Sequence, residues 1–268
     1  LDGVQLQDST VLLTGATGGI GQAIARALDE RGARVILTAR RTEQLEQVAA
    51  ALGGRPRVLP ADLTQAADAV ALAELAGPVD VLVANAALPA SGPLDDFSTA
   101  EIDRALDVNL RAPIQLTWAL LPGMTDRGRG HLVFVSSLSG KVASTGSSLY
   151  SATKFGLRGF ASGLREDLHG SDVGVTVVFP GFISDAGMFA EAGVRLPRGV
   201  GTRTPEQVAE AVVRGIEEDR AEIDVAPLAL RAGALMSAVA PGTAARLQRR
   251  LGSKKIADAM AKGQRPKR

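Results

Sequence analysis

Short aliphatic runs, each ending in small or polar residues and followed by a helix-like stretch, recur along most of this chain and narrow its folds sharply. Residues 10–13 lead into a helix expected around 20–31, residues 34–38 into one around 42–52, and residues 57–60 into an alanine-rich one around 65–75. Residues 79–83 end at Asn85, with a long helix expected from about 101 to 125. Residues 131–135 end at Ser136-Ser137 before a helix from about 150 to 169, and residues 173–179 end at Pro180-Gly181. Strands that are apolar at every position have both faces covered, and their alternation with helices indicates parallel pairing. With residues 222–225 as the last strand, the expected fold is α/β: a doubly wound, mostly parallel sheet of about seven strands with helices on both faces. No solenoid repeat and no linker interrupts it, so residues 1–268 are expected to form a single domain with its core at about 9–225.

The 268 residues suffice for one sizeable core. Aromatics are scarce, so that core must be built from Ala, Val, Leu and Ile. The absence of cysteine excludes disulfides and thiolate chemistry and suits a reducing, cytoplasmic location. His131 and His169 are too few and too far apart for a metal site. No signal peptide or membrane span is recognised. Net charge is +1, but nine Lys/Arg and one acid (Asp258) fall within 246–268, a tail of +8 on a body of −7. That balance argues against a nucleic-acid-binding domain.

Ligands of such sheets sit at the carboxyl ends of the strands, where every polar cluster of this chain is expected. The first is Thr14-Gly15-Ala16-Thr17-Gly18-Gly19-Ile20-Gly21. Its glycines permit a tight turn and close approach of a pyrophosphate, with the next helix aimed at the phosphates. At the end of the second strand stand Ala39, Arg40 and Arg41, where an acid would bind ribose hydroxyls and repel a 2′-phosphate. Arginine forks onto phosphate, so NADP(H) is expected over NAD(H), with Arg40 the main ligand and Arg41 secondary.

The chain's one tyrosine, Tyr150, lies four residues before Lys154, on the same face of a helix. An ammonium beside a phenol lowers the phenol's pKa; bringing it from about 10 to near 7 takes roughly 4 kcal/mol, which a lysine and a cationic nicotinamide together could supply. Packing of a half-buried tyrosine beside a solvated lysine is the plainer reading of this segment alone.

Together these motifs resemble the short-chain dehydrogenase/reductase family, over roughly residues 9–225. The glycine loop is similar to its T-G-x-x-x-G-x-G, Asn85-Ala86-Ala87 to its N-N-A-G, and Tyr150-x-x-x-Lys154 to its active-site pair. Asn109 stands in a context like that of the catalytic asparagine. Ser137, thirteen residues before Tyr150, suits the catalytic serine, and Pro180-Gly181 matches the motif after strand six.

The resemblance implies a Rossmann-like fold and reversible hydride transfer between a carbonyl and a secondary alcohol. Tyr150 would serve as proton donor, with Ser137 on the same oxygen. Lys154 would act on Tyr150 and the nicotinamide ribose, and Asn109 would hold a water. The implied cofactor contacts are Gly15, Thr17, Gly19, Ile20, Gly21, Arg40, Arg41, Asp62 at the adenine, Leu63, Asn85, Tyr150, Lys154, Pro180, Gly181 and Ile183. A homo-dimer or homo-tetramer is also implied, through the helix carrying Tyr150 and the one after strand six.

Three residues depart from the pattern. Ala84 and Ala87 replace the first asparagine and the glycine of N-N-A-G, and Asp185 stands where the family often has a nicotinamide-contacting threonine, with Ser184 beside it.

Residues 182–203 carry Phe182, Met188, Phe189, Val194 and Leu196 among glycines and suit a mobile apolar lid over a lipophilic substrate. A helix is expected at 205–218. Residues 226–240 are apolar with one charge, too short for a membrane span; packing against the protein is favoured, leaving a solvated basic tail, with peripheral contact to an anionic membrane as the alternative. A non-catalytic NADP(H) sensor or scaffold is the competing function. The substrate itself is not legible.

Overall fold

The computed structural model describes residues 3–194, 200–250 and 253–267; Leu196 of the expected lid lies outside the described residues. Seven strands form one sheet: β1 (Thr10–Thr14), β2 (Arg34–Thr38), β3 (Arg57–Val58), β4 (Val81–Ala84), β5 (Gly130–Val135), β6 (Val173–Pro180) and β7 (Glu222–Val225). Every pairing is parallel and the order is 3-2-1-4-5-6-7. The chain starts in the middle, winds out to β3, then returns past β1 to fill the other half. This is the doubly wound, Rossmann-like α/β topology, with its order reversal between β1 and β4.

The helices are α1 (Gly19–Glu30), α2 (Thr42–Ala50), α3 (Ala66–Ala76), α4 (Thr99–Leu106), α5 (Ala112–Asp126), α6 (Ser148–Asp167), α7 (Gly187–Glu191), α8 (Pro205–Glu217), α9 (Leu228–Val239), α10 (Pro241–Arg250) and α11 (Ser253–Gln264). They cover both faces because successive strand residues point to opposite sides. Val11, Leu13, Val81, Val83, Val133 and Val135 pack on one face against Ile24 and Leu28 of α1 and Val212 and Ile216 of α8. Leu12, Leu82, Leu132 and Phe134 pack on the other against Leu72 of α3, Leu116 of α5 and Leu157 of α6. An aliphatic core of this kind needs little aromatic volume; Phe134 meets Phe160 edge-on at 5.7 Å.

Two expected elements differ. The third strand stops at Val58, although the N–H groups of Leu59 and Ala61 beyond it still donate to the carbonyls of Leu37 and Ala39. The long helix expected from 101 to 125 is α4 and α5 joined by a π-helical turn, Asp107–Arg111. Pro113 lies four residues after Asn109 and cannot donate to its carbonyl, so the ordinary helical ladder is broken there. Ser98 caps α4 with a reciprocal capping box to Glu101, which sets where the helix begins.

The basic tail, expected to be solvated, is largely helical, and its cations Arg246, Lys262 and Arg265 are exposed. α10 packs on α9, and α11 packs on α7. Ala234, Ala244, Ala261 and Gln264 are buried.

Candidate active site

At the carboxyl end of β1, Gly15 has φ +67° and its α-carbon faces Ala86, so closely that a Cβ would lie 2.8 Å from the Ala86 Cα. Thr14 Oγ1 accepts from the N–H groups of both Asn85 and Ala86, each at 3.0 Å. Asn85 Nδ2 donates to the carbonyls of Thr14 and Gly15 at 3.1 and 3.2 Å. The loop is thereby tied to β4 by Thr14 and Asn85, although Ala84 and Ala87 stand in the N-N-A-G pattern. Asn85 is a brace of the cofactor loop, its amide N–H groups already engaged.

The N-terminus of α1 begins at Gly19 with no side-chain cap and no acid in its first turn. Its free N–H groups and positive dipole end suit a pyrophosphate. Gly21 leaves room for the Gly15 carbonyl, which a Cβ would meet at 2.1 Å. A Cβ on Gly19 would meet the Ala186 Cβ at 2.3 Å, so the segment after β6 rests on the glycine loop. Thr17 and Ile20 are half-buried there.

Arg40 and Arg41 are both exposed beyond β2. Arg41 lines a polar groove with Thr17, Gln22 and Arg26, between α1 and α2. Arg26 is a second cation that the sequence reading missed, because its approach depends on how the two helices pack. Asp62 accepts from the Thr64 N–H and hydroxyl through Oδ1, while Leu63 is buried. These donors and acceptors fit a dinucleotide laid across the carboxyl edge, with room and charge for a phosphate beyond β2.

Ser137 follows β5 and is half-buried; its Oγ accepts from the Ser139 N–H at 3.1 Å, and it lies near enough to the Tyr150 hydroxyl to act on its titration. Ser136 points the other way: it is buried and donates to the Lys154 carbonyl at 3.2 Å. The strand alternation that distinguishes the two serines is observed.

Tyr150 sits in the first turn of α6 against a small apolar cluster of Ala90, Ala105, Leu149, Phe97 and Ile102. Burial pushes its phenol up to about 12, with the Ser137 hydroxyl acting in the opposite direction. Lys154 is buried, donates to the Val135 carbonyl at 3.0 Å, and lies 5.7 Å from the Tyr150 ring centroid. Burial brings its ammonium down to about 8. In the protein without cofactor, burial thus pushes the phenol up, while the lowering expected from the sequence takes the lysine together with a cationic nicotinamide.

Asn109 is fully buried in the π-helical turn. Its Oδ1 accepts from Leu88 N–H at 2.6 Å and its Nδ2 donates to the Leu88 carbonyl at 2.9 Å. The side chain holds the loop after β4 in place, and the main-chain carbonyl lacks its ordinary i+4 donor because Pro113 has no N–H.

Pro180 closes β6, and the Gly181 N–H donates to Val225 O at 3.0 Å. Ser184 N–H donates to Arg203 O and Arg203 N–H to Phe182 O, both at 2.9 Å. Ile183 lies between these bonds with its side chain in the core. In a parallel pairing its own N–H and C=O then face the opposite side, which suits a carboxamide. Asp185 is exposed with φ +62°. Phe182 and Phe189 stack at 4.9 Å between ring centroids, and Ala257 of α11 approaches Gly146, just before α6. Nothing in the sequence pattern signals that α11 reaches this mouth.

His131 is buried with its Nε2 2.8 Å from the Thr176 hydroxyl, and burial lowers it to about 4. It is a neutral core residue. Among the described residues no cluster of His, Asp or Glu has metal-binding geometry. A groove of about 650 Å³ between α3 and α5, lined by Trp118 and Pro122, contains none of the residues above.

The model of the family described as short chain dehydrogenase matches residues 9–195. Ketoacyl reductase HetN of Nostoc sp. is 39% identical over 227 residues, spanning 82% of this chain and 79% of that protein. Dehydrogenase/reductase SDR family member 7B of Xenopus tropicalis is 32% identical, spanning 89% of this chain and 84% of that one. A short-chain dehydrogenase from Streptomyces avermitilis superposes with a TM-score of 0.78 at 30% identity, covering 88% of this chain and 95% of its own. A metagenomic short-chain oxidoreductase solved in complex with NADP gives a TM-score of 0.70 at 33% identity, covering 83% and 97%.

Proposed function

This chain belongs to the short-chain dehydrogenase family and is an oxidoreductase of CH–OH and C=O groups that binds a nicotinamide cofactor; we propose that it is an NADP(H)-dependent carbonyl reductase/alcohol dehydrogenase acting on a lipophilic substrate through Tyr150, Ser137, Lys154 and Asn109. The observation that carries this reading is the convergence of Tyr150 and Ser137 with the buried Lys154 ammonium, 5.7 Å from the Tyr150 ring centroid, at the carboxyl edge of the sheet.

When bound, the nicotinamide supplies or accepts the hydride. Tyr150, held protonated by its buried site, donates its phenolic proton to the oxygen of the carbonyl being reduced. Ser137 Oγ hydrogen-bonds the same oxygen and fixes its position as negative charge develops there. Lys154 favours the phenolate left behind, a proton passed from its ammonium restores the phenol, and Lys154 regains one from solvent through water held at the Asn109 carbonyl. Arg40 and Arg41 take the 2′-phosphate, with Arg26 close enough to assist. The main chain of Ile183 takes the carboxamide that the family's threonine would otherwise help hold.

The apolar wall of Ala90, Phe97, Ile102 and Leu149, together with Phe182 and Phe189, supports a lipophilic substrate. Segment 182–203 acts as its lid.

The test is NADPH oxidation over a panel of steroids, acyl-chain ketones and small aldehydes, for wild type and Tyr150→Phe. Turnover is expected with apolar ketones, falling by roughly 10²–10⁴-fold in the variant, while NADPH binding measured by fluorescence stays nearly unchanged. Residual turnover within tenfold of wild type contradicts the scheme.

A further inference from the structure

Helix α9 is apolar on its outward face as well as its inward one. Inward, Ala234 is buried. Outward, Leu228 is 75% exposed, Leu235 69% and Val239 80%. Their spacing of seven and four residues places them on one stripe of a helix, with Ala232 and Ala238 exposed beside them. The only charge on α9 is Arg231; the helix carries no acid. Nothing in the family's reaction accounts for two leucines and a valine turned to water on one stripe.

The stripe adjoins the basic end of the chain. Residues 246–268 hold nine Lys/Arg and one acid, against a body of net charge −7. Arg246, Lys262 and Arg265 are exposed, and none of the ion pairs among the described residues involves them. α9 leaves β7 at the carboxyl edge of the sheet, the edge where the active site opens. α10 packs on α9, and α11 reaches the lid helix α7.

We propose that the outward face of α9, flanked by the cationic end of the chain, docks on an anionic lipid surface. Charge selects this occupant. An apolar stripe continued by a cationic end of the chain, with Arg246 on the helix packed against α9, matches anionic headgroups over acyl chains. A second copy would bring two tails of +8 together. One stripe on a twelve-residue helix, about 18 Å long, also falls short of the roughly 800 Å² per partner of a stable protein interface. Docked this way, the mouth of the site lies beside the lipid, where an apolar substrate concentrates. The docking itself does not depend on the proposed catalytic residues or on the choice of cofactor.

The test uses the full chain and vesicles of phosphatidylcholine alone or with about a third phosphatidylserine, the content chosen to give a strongly negative surface. Co-sedimentation is expected with the anionic vesicles, and much less with neutral ones or at high salt. The triple variant Leu228→Ser/Leu235→Ser/Val239→Ser removes only exposed side chains. It is expected to lower partitioning at least tenfold while its NADPH-dependent turnover of a small soluble carbonyl and its thermal midpoint stay at wild-type values. Arg246→Glu/Lys262→Glu/Arg265→Glu is expected to abolish the preference for anionic vesicles. Absence of binding at low salt, or equal binding to neutral vesicles, overturns the proposal. So does a wild-type oligomer that the triple variant dissociates without any vesicle binding, which would make the stripe a contact between copies. Loss of turnover in Tyr150→Phe leaves vesicle binding intact, so the two readings fail separately.

Discussion

Replacing Lys154 by methionine is expected to stabilise the protein at pH 7 and to abolish catalysis at the same time. Lys154 is 2% exposed, and burial brings its ammonium from 10.5 down to about 8. Below pH 8 the folded protein must carry a buried cation that the unfolded chain solvates freely. A depression of this size corresponds to about 3 kcal/mol of lost stability at neutral pH. Methionine fills a similar volume without the charge, but leaves the Val135 carbonyl without the donor that Lys154 supplies at 3.0 Å, a loss of about 1 kcal/mol. The net gain is about 2 kcal/mol. The sign with pH follows from linkage: between about 8 and 10.5 the unfolded state binds more protons than the folded one, so wild-type stability recovers as pH rises. Urea unfolding of both proteins at pH 7 and pH 10, at one protein concentration, measures the difference. The variant is expected to lead at pH 7 and to lose that lead by pH 10. A variant less stable at pH 7, or a gap independent of pH, refutes the reasoning that Lys154 is held against its solvation for the sake of the site.

Other consequences are as direct. The single tyrosine makes ultraviolet titration unambiguous: with its phenol pushed up to about 12, Tyr150 in the cofactor-free protein is expected to be only about 3% phenolate at pH 10.5, against about three quarters for an unperturbed phenol; a full titration step below pH 10 contradicts this. NADP⁺ is expected to move the onset to lower pH by adding positive charge beside the phenol. Arg40→Asp is expected to raise the KM for NADPH at least tenfold more than that for NADH; equal effects in steady-state kinetics remove Arg40 from phosphate binding. Gly19→Ala puts a Cβ 2.3 Å from that of Ala186, so it is expected to weaken NADPH binding with little change in thermal midpoint, because the displaced segment lies over the loop and outside the core.

Much of this architecture was legible in order along the chain. Strand runs with no polar interruption, such as residues 131–135, can only lie in a sheet covered on both sides, and the positions where they end became the site. The Tyr150–Lys154 spacing and the alternation of Ser136 and Ser137 are local properties of a helix and a strand, which is why they carry over. What the sequence did not show depends on partners distant along the chain. Leu88, twenty-one residues from Asn109, takes both ends of its amide, and Thr14 and Gly15 accept from the Asn85 amide. The break in the long helix was not foreseen, although its signal is local: Pro113 has no N–H for the Asn109 carbonyl four residues earlier.

By itself the sequence determined the parallel sheet, the glycine loop, the basic pair after β2 and the local placement of Ser137, Tyr150 and Lys154, because each depends on periodicity or on neighbours within a turn. Tertiary structure alone decided the state of those residues. Tyr150 and Lys154 are on one helical face in either view, but how far each is removed from water depends on α4, the π-helical turn and the strands that enclose them. In the protein without cofactor, that desolvation pushes the phenol up. The same distinction holds at the end of the chain, where composition describes an apolar stretch and a basic tail. Only packing separates the face of α9 that joins the protein from the face that turns Leu228, Leu235 and Val239 outward.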